Sequence, residues 1–267
     1  MTNTNDSGPG SLRQALVDAN DGDAINFDAS LIGRKITLTN GQLNVDKNIT
    51  ISGPGADYLA VDGNMQSRVF YVNPAKTVTI SRLTIKNGNA TNNPGGGIYN
   101  DGGALMLSEC AVTGNSGGGI LNDSFNGSAM MTITSCTVSD NSGGGIGNRG
   151  SHTGATMIVS NCTVSGNSDG GVGNGGIGGR ATMTVTNSTI SGNSGTGIGN
   201  GAGLAAGNAT LTVTSCTISG NSSGGISNSD AGVTITNSTL SGNSAAWGWR
   251  HRQREWTRAR RYNSRKQ

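Results

Sequence analysis

Phe125, Arg149, His152 and Arg180 are side chains with chemistry to offer in a chain otherwise rich in Gly, Ser, Thr and Asn. Phe125 can stack on a sugar ring. The two Arg forks can hold an acidic group. His152 is the only histidine before the C-terminal segment. Asp140 and Asp169 form an alternative acidic pair: one precedes a turn asparagine, the other follows the next turn serine. Grouped carboxylates are what a glycosidase or polysaccharide lyase requires. Glu109 is the only glutamate among residues 1–246, and no Arg or Lys falls within the seven-residue unit from the turn asparagine to the second asparagine of each copy. Those aspartates therefore read as solvated turn residues, and no catalytic set is assigned.

Other motifs dissolve into the repeat that contains them. "GVGNGG" at residues 171–176 fits G-x-G-x-x-G, but no helix follows to complete a dinucleotide site. G-x-S-x-G occurs at 114–118, 166–170 and 220–224, at the repeat period, whereas a nucleophile elbow is a single strained turn. Cys110, Cys136 and Cys162 are 26 residues apart, with Cys216 a further 54 on and Ser188 in the gap. Stacked in one column they point in parallel, so neither a zinc site nor disulfides are expected, only buried thiols. "GGVGN" and "GGGIGN" carry Asn where a calcium-binding roll carries Asp. No metal and no cofactor is assigned.

The elements that position these residues come from repetition. "SECAVTGNSGGGILN", "TSCTVSDNSGGGIGN", "SNCTVSGNSDGGVGN", "TNSTISGNSGTGIGN" and "TSCTISGNSSGGISN" follow one another, and a sixth copy begins at Thr236. One asparagine series is Asn115, Asn141, Asn167, Asn193, Asn221 and Asn243; a second lies seven residues later, from Asn122 to Asn228. "MTITSCTVS" alternates apolar and hydroxyl residues, the period of a strand, with a phase shift at Ser135. Gly-Asn-Ser is a turn, and "GGGI" is a short third strand with Ile146 inward. Three short strands per copy cannot bury a core alone, but stacked copies can. Asn then stands above Asn, exchanging amide hydrogen bonds between coils. Length varies only after the second asparagine, so the loops carrying Phe125, Arg149, His152 and Arg180 leave at one corner and line one edge of the rod. About eight coils at ~4.8 Å each give a rod roughly 40 Å long.

The start of the chain differs. "SLRQALVDAN" puts Leu12, Ala15, Leu16 and Ala19 on one helical face, with Ser11 as N-cap and "NDGD" as the stop. Such a helix covers the open end of a β-helix core. "TNTNDSGPGSLRQALVDAN", "GPGADYLAVDGN" and "GGGIYNDGGALMLSECAVTGNS" resemble bacterial secreted and surface proteins built of right-handed parallel β-helix repeats with a pectate-lyase-like fold. In that family a Cys-Ser-Leu-Arg-Glu-Ala motif opens the cap; here it reads Gly10-Ser11-Leu12-Arg13-Gln14-Ala15, with Cys and Glu replaced. The resemblance covers residues 2 to about 244. It implies an all-β, right-handed parallel β-helix with a short N-terminal capping helix, on a secreted or cell-surface protein. The expected organisation is a cap over residues 1–35, the β-helix over 36–245 and a non-repeat tail over 246–267. Neither the signal peptide nor the anchoring segments that accompany the motif in that family are visible.

The C-terminal segment "AAWGWRHRQREWTRARRYNSRKQ" holds every Trp, and from Trp247 it carries eight Lys/Arg against one Glu. Residues 1–246 hold ten Lys/Arg and fourteen Asp/Glu, so the body is mildly acidic and lacks a nucleic-acid footprint. No apolar run is long enough to span a membrane. The tail reads as a shifted frame: with codons chosen to fit, dropping the first base of Trp247 gives a glycine- and asparagine-rich stretch like the missing part of the repeat. The functional expectation is a non-catalytic rod or adhesin-like module whose partner is a glycan or a host or cell-surface protein, with end-to-end self-association at its open end. The alternatives are a carbohydrate-active β-helix enzyme and a defective fragment of a longer surface protein.

Overall fold

The structure is a computed structural model, and it describes residues 1–90, 95–203 and 207–244. The basic tail, where a shifted frame is expected, lies outside the described residues. Three parallel sheets form the walls of a β-helix. Sheet I has nine strands, from Ala24–Asn26 to Gly232–Thr236; sheet II has nine, from Arg34–Thr37 to Thr239–Ser241; sheet III has eight, from Leu43–Val45 to Ile226–Ser229. Every pairing joins one coil to the next, giving eight three-sided coils and part of a ninth. The first coil begins within residues 1–35, because Ala24–Asn26 already pairs with Ile49–Ser52.

The coil geometry follows from the repeat. In Arg180–Thr186, Ala181, Met183 and Val185 point inward and are at most 1% exposed, while Thr182, Thr184 and Thr186 face outward. β-Branched hydroxyl residues suit such an outer face. After each long strand one residue turns left-handed: Glu109, Ser135, Asn161, Asn187 and Ser215 have φ between 52° and 56° or, at Asn187, 48°. This residue restarts the inward phase, so that Cys136 and Val138 point inward after Ser135. The cysteine column is buried and its four thiols are free. Its hydrogen bond with Cys110, together with burial, pushes the Cys136 thiol up to about 12, against the opposing effect of Cys162. Ser188 fills the gap in the column, accepting from the Cys162 amide at 3.0 Å.

Two asparagine ladders run the length of the regular coils. Asn115, Asn141, Asn167 and Asn193 pass Nδ2–H···Oδ1 bonds of 2.9 Å from coil to coil. The second ladder starts one coil earlier than the repeat suggests, at Asn100, which donates to Asn122 Oδ1 at 2.7 Å. The helix Leu12–Asp18 closes the N-terminal end with Leu12 and Leu16 buried, and Ser11 Oγ accepts from the Gln14 amide.

Candidate functional site

The outer face of sheet III changes character along the rod. Its strands Phe70–Val72, Ile98–Asp101, Ile120–Asp123 and Gly144–Gly150 align Tyr71 with Tyr99 and Leu121, then Gly147. Two residues further along each strand, Asp101 aligns with Asp123 and then Arg149. Parallel register thus puts two tyrosines beside two carboxylates and an arginine at the head of the regular coils.

The carboxylates are almost fully covered, at 2% for Asp101 and 3% for Asp123. Each is tied by several donors. Tyr71 Oη donates to Asp101 Oδ2 at 2.5 Å, and the Asn126 amide group and backbone N–H add bonds of 2.7 and 3.3 Å. Ser151 Oγ donates to Asp123 Oδ1 at 2.5 Å, Tyr99 Oη donates to Oδ2 at 3.3 Å, and Arg149 Nε pairs with Oδ2 at 3.6 Å. A buried carboxylate demands such partners. Burial, with the hydrogen bond to Asp101, pushes the Tyr71 phenol up to about 12; burial and the charges of Asp123 and Asp101 push Tyr99 up as well. Above them the Arg68 guanidinium lies 4.8 Å from the Tyr99 ring centre and 5.8 Å from that of Tyr71. Arg68 Nε donates to the Gly95 carbonyl and Nη1 to Gln42 Oε1.

The loops after Asp123 and Gly150 close the corner. Phe125 is 52% exposed and lies against His152, with ring centres 4.6 Å apart. His152 Nδ1 is 3.0 Å from the Phe125 carbonyl oxygen, and the His152 amide donates to the Ser124 carbonyl. Asn126 and Ser151, in these same loops, reach back to Asp101 and Asp123. The carboxylates therefore anchor the loops that display the aromatic pair.

Of the residues singled out from sequence, Phe125, His152 and Arg149 come together at this corner. Arg149 is held by Asp123 rather than standing as a free anion holder. Arg180 opens the sheet I strand Arg180–Thr186, exposed, in register with Gly154 and Asn208, and its amide donates to the Thr153 carbonyl, next to His152. Asp140 and Asp169 are not in register with each other. Asp140 occupies a left-handed corner (φ 55°) in register with Gly166, a geometry Asp tolerates and glycine fills in other coils. Asp169, two residues past its turn asparagine, donates its amide to the Gly143 carbonyl. Both aspartates are exposed. Tyr71, Tyr99, Asp101 and Asp123 escaped sequence reading. Their trace was the shared "IYND" and "ILND" at residues 98–101 and 120–123, where Asp follows the ladder asparagine.

Fold and corner together define a three-walled parallel β-helix with an aromatic and carboxylate cluster on one wall. The right-handed β-helix region family matches residues 36–179, more than half of the chain, and the chain belongs to that family. Among solved structures it is similar to pectate lyase Pel9A, with a TM-score of 0.68 at 17% identity, covering 91% of this chain and 67% of that one. It is also similar to ORF18 of Geobacillus virus E2, with a TM-score of 0.54 at 12% identity, covering 85% of this chain and 57% of that one. At these identities the likeness is one of fold. No curated protein matches the sequence.

Proposed function

We propose that this protein is a secreted or cell-surface β-helix rod that binds a glycan at the Phe125 corner without cleaving it. The observation that carries the reading is the half-exposed Phe125 ring, braced by His152 on loops tied to buried carboxylates. A rigid, exposed aromatic face suits the C–H face of a sugar, and Arg149, Asn126 and Ser151 stand nearby to meet hydroxyl groups. Holding an exposed ring fixed before the ligand arrives reduces the ordering cost of binding. Fold similarity to a pectate lyase supports the carbohydrate part of this proposal. The non-catalytic part rests on Asp101 and Asp123: both are buried, and every carboxylate oxygen has a donor within the protein.

A screen of the full chain against glycans tests the proposal, followed by calorimetry on any hit. Phe125→Ala combined with Arg149→Ala is expected to weaken binding at least tenfold. Unchanged affinity in the double variant overturns it.

One observation favours the second reading, a carbohydrate-active enzyme. Two carboxylates in register on neighbouring strands, each bonded to a tyrosine hydroxyl, are equipment for acid–base chemistry. Release of new sugar ends from a polysaccharide, abolished by Asp123→Asn, establishes that reading over the non-catalytic one.

A further inference from the structure

The second asparagine ladder has a loose end. Asn100 is fully buried, and its Nδ2 is committed: it donates to the Gly103 carbonyl at 2.8 Å, to Asn122 Oδ1 at 2.7 Å and to the Met130 carbonyl at 3.3 Å. Turning the amide over would set an oxygen against those three acceptors. Its Oδ1 therefore faces the coil before, where Val72 stands in register and no group of the protein donates to it. In the coils that follow, the corresponding oxygens of Asn122, Asn148, Asn174 and Asn200 each accept from the asparagine before them.

The coil before supplies further oxygens in place of a donor. A Cβ on Gly103 would lie 2.7 Å from Asn100 Oδ1, 3.0 Å from the Lys76 carbonyl oxygen and 3.1 Å from the Asn73 carbonyl oxygen. Three oxygens from two coils thus surround one point. Asn73 Oδ1 is also buried without a partner, and among the described residues Asn73 and Asn100 alone have such a side-chain atom. The loop of residues 73–76 that brings the carbonyls is fixed at Ala75, which has a left-handed φ of 58° and donates its amide to the Gly102 carbonyl at 2.9 Å.

Gly103 is the exception in its column. It lies one residue before the Ala104–Met130 pair and so stands beside Ala129; the column continues as Ala155, Ala181 and Ala209, all buried. Its own φ is not left-handed, so the backbone does not demand glycine there. What a methyl group would crowd is the cluster of oxygens. The fold takes alanine in the four coils that follow and not where the ladder begins.

Electrostatics points the same way. Buried oxygens that meet only one another are costly. The next residue, Asp101, is a buried carboxylate bonded by the neutral groups of Tyr71 and Asn126. It has no salt bridge among the described residues, whereas Asp123 has Arg149. Arg68 lies over the tyrosine rings instead. The corner is short of positive charge.

We propose that a dehydrated alkali cation, sodium or potassium, binds at the head of this ladder, held by Asn100 Oδ1, the carbonyl oxygens of Asn73 and Lys76, and Asn73 Oδ1. Neutral amide and carbonyl oxygens are the ligands that strip water from such ions. A divalent ion takes carboxylates into its shell, and this shell has none. One cation satisfies every oxygen at once, whereas a water molecule has two protons to give. The ion bolts the loop of residues 73–76 to the ladder. Through Asp101 and Asn126 it also steadies the loop that displays Phe125. The inference holds whether or not that corner binds a glycan.

The test melts the full chain in potassium, sodium or choline chloride, each at about 100 mM. The melting temperature is expected to be about 3 °C or more higher in one alkali salt than in choline chloride, and the better salt names the ion. Asn73→Ala is expected to shrink that difference by at least half, and Gly103→Ala to abolish it. Crystals grown with thallium(I) in place of potassium give the direct reading: an anomalous peak against Asn100 Oδ1 in the wild type, absent from Gly103→Ala. If Gly103→Ala does not fold, the wild-type peak and Asn73→Ala decide. Density for water alone at Asn100, or equal melting in all three salts, overturns the proposal. So does an alkali response that persists undiminished in both variants, which is the mark of an adventitious surface ion only.

Discussion

Asn167 shows how one side chain joins three coils. Its Oδ1 accepts from both the backbone N–H and the Nδ2 of Asn141, at 3.1 and 2.9 Å. Its Nδ2 donates to Asn193 Oδ1 and to the carbonyls of Val138 and Ser165. The ladder has a polarity, because each side-chain oxygen accepts from the coil before it and each amide group donates to the asparagine of the coil after it. Asn100 heads the second ladder with Val72 before it in register, so no donor arrives from that side and its Oδ1 is left unpaired. Asn167→Ala strands two donors of Asn141 in a dry interior, where each unsatisfied group is costly. The expected loss is about 3 kcal/mol, read by urea unfolding. A loss below about 1 kcal/mol would mean that water or a rearranged backbone replaces the ladder. Aspartate offers no substitute, since it lacks the two amide protons.

At the level of elements, strands are short and corners carry the chemistry of direction. The left-handed residue between sheets I and II and the glycine or aspartate before each turn asparagine set where the chain bends. The N-terminal helix is held by a different device. Asp6 accepts from the amides of Thr39 and Asn40 at 2.9 and 2.7 Å and from Arg13 at 2.7 Å, and Arg13 also reaches the carbonyls of Gly41 and Gln42. Burial alone would raise the Asp6 carboxyl, but these donors outweigh it and hold it below the usual carboxylate range. A lowered carboxyl contributes stability that is fully present above its unfolded value near 4 and is lost as pH falls through its folded value. The cap is therefore expected to loosen below about pH 4. Comparing the thermal midpoints of the wild type and Asp6→Asn between pH 6 and pH 3 isolates this contribution. The gap between them should narrow on acidification, and a constant gap would dismiss the ionised tie.

Across the whole molecule each coil leans on its two neighbours, so stability is graded along the axis. Leu211, Val213 and Ile218 are fully buried, whereas the corresponding residues of the last described coil are open: Val233 at 39%, Ile235 at 42% and Leu240 at 46%. The N-terminal end has a helix over its core; among the described residues no helix covers the other end. Amides of Gly232–Thr236 and Thr239–Ser241 are expected to exchange first, and those of the central coils last, by hydrogen-exchange mass spectrometry. Concentration-dependent self-association through the same end is expected in sedimentation velocity, since exposed strand edges template pairing. A monomer at all concentrations with uniform protection would show that the end is covered.

The sequence by itself determined the β-helix, its period, both asparagine columns and the thiol column. Stacking turns a constant spacing into a register, so identical residues must meet, and alternation decides which of them face inward. It also placed Phe125, Arg149 and His152 on one edge, because length varied at one point of the coil only. The tertiary structure alone decided that Asp123 holds Arg149 and that Arg180 opens a strand of sheet I beside Thr153. It alone joined Tyr71 to Asp101, 30 residues away, since those coils are irregular and no period predicts their partners. It alone gathered the carbonyls of Asn73 and Lys76 with Asn100 Oδ1 around Gly103. That convergence depends on which atoms lie near a missing Cβ, and two of the three come from the coil before.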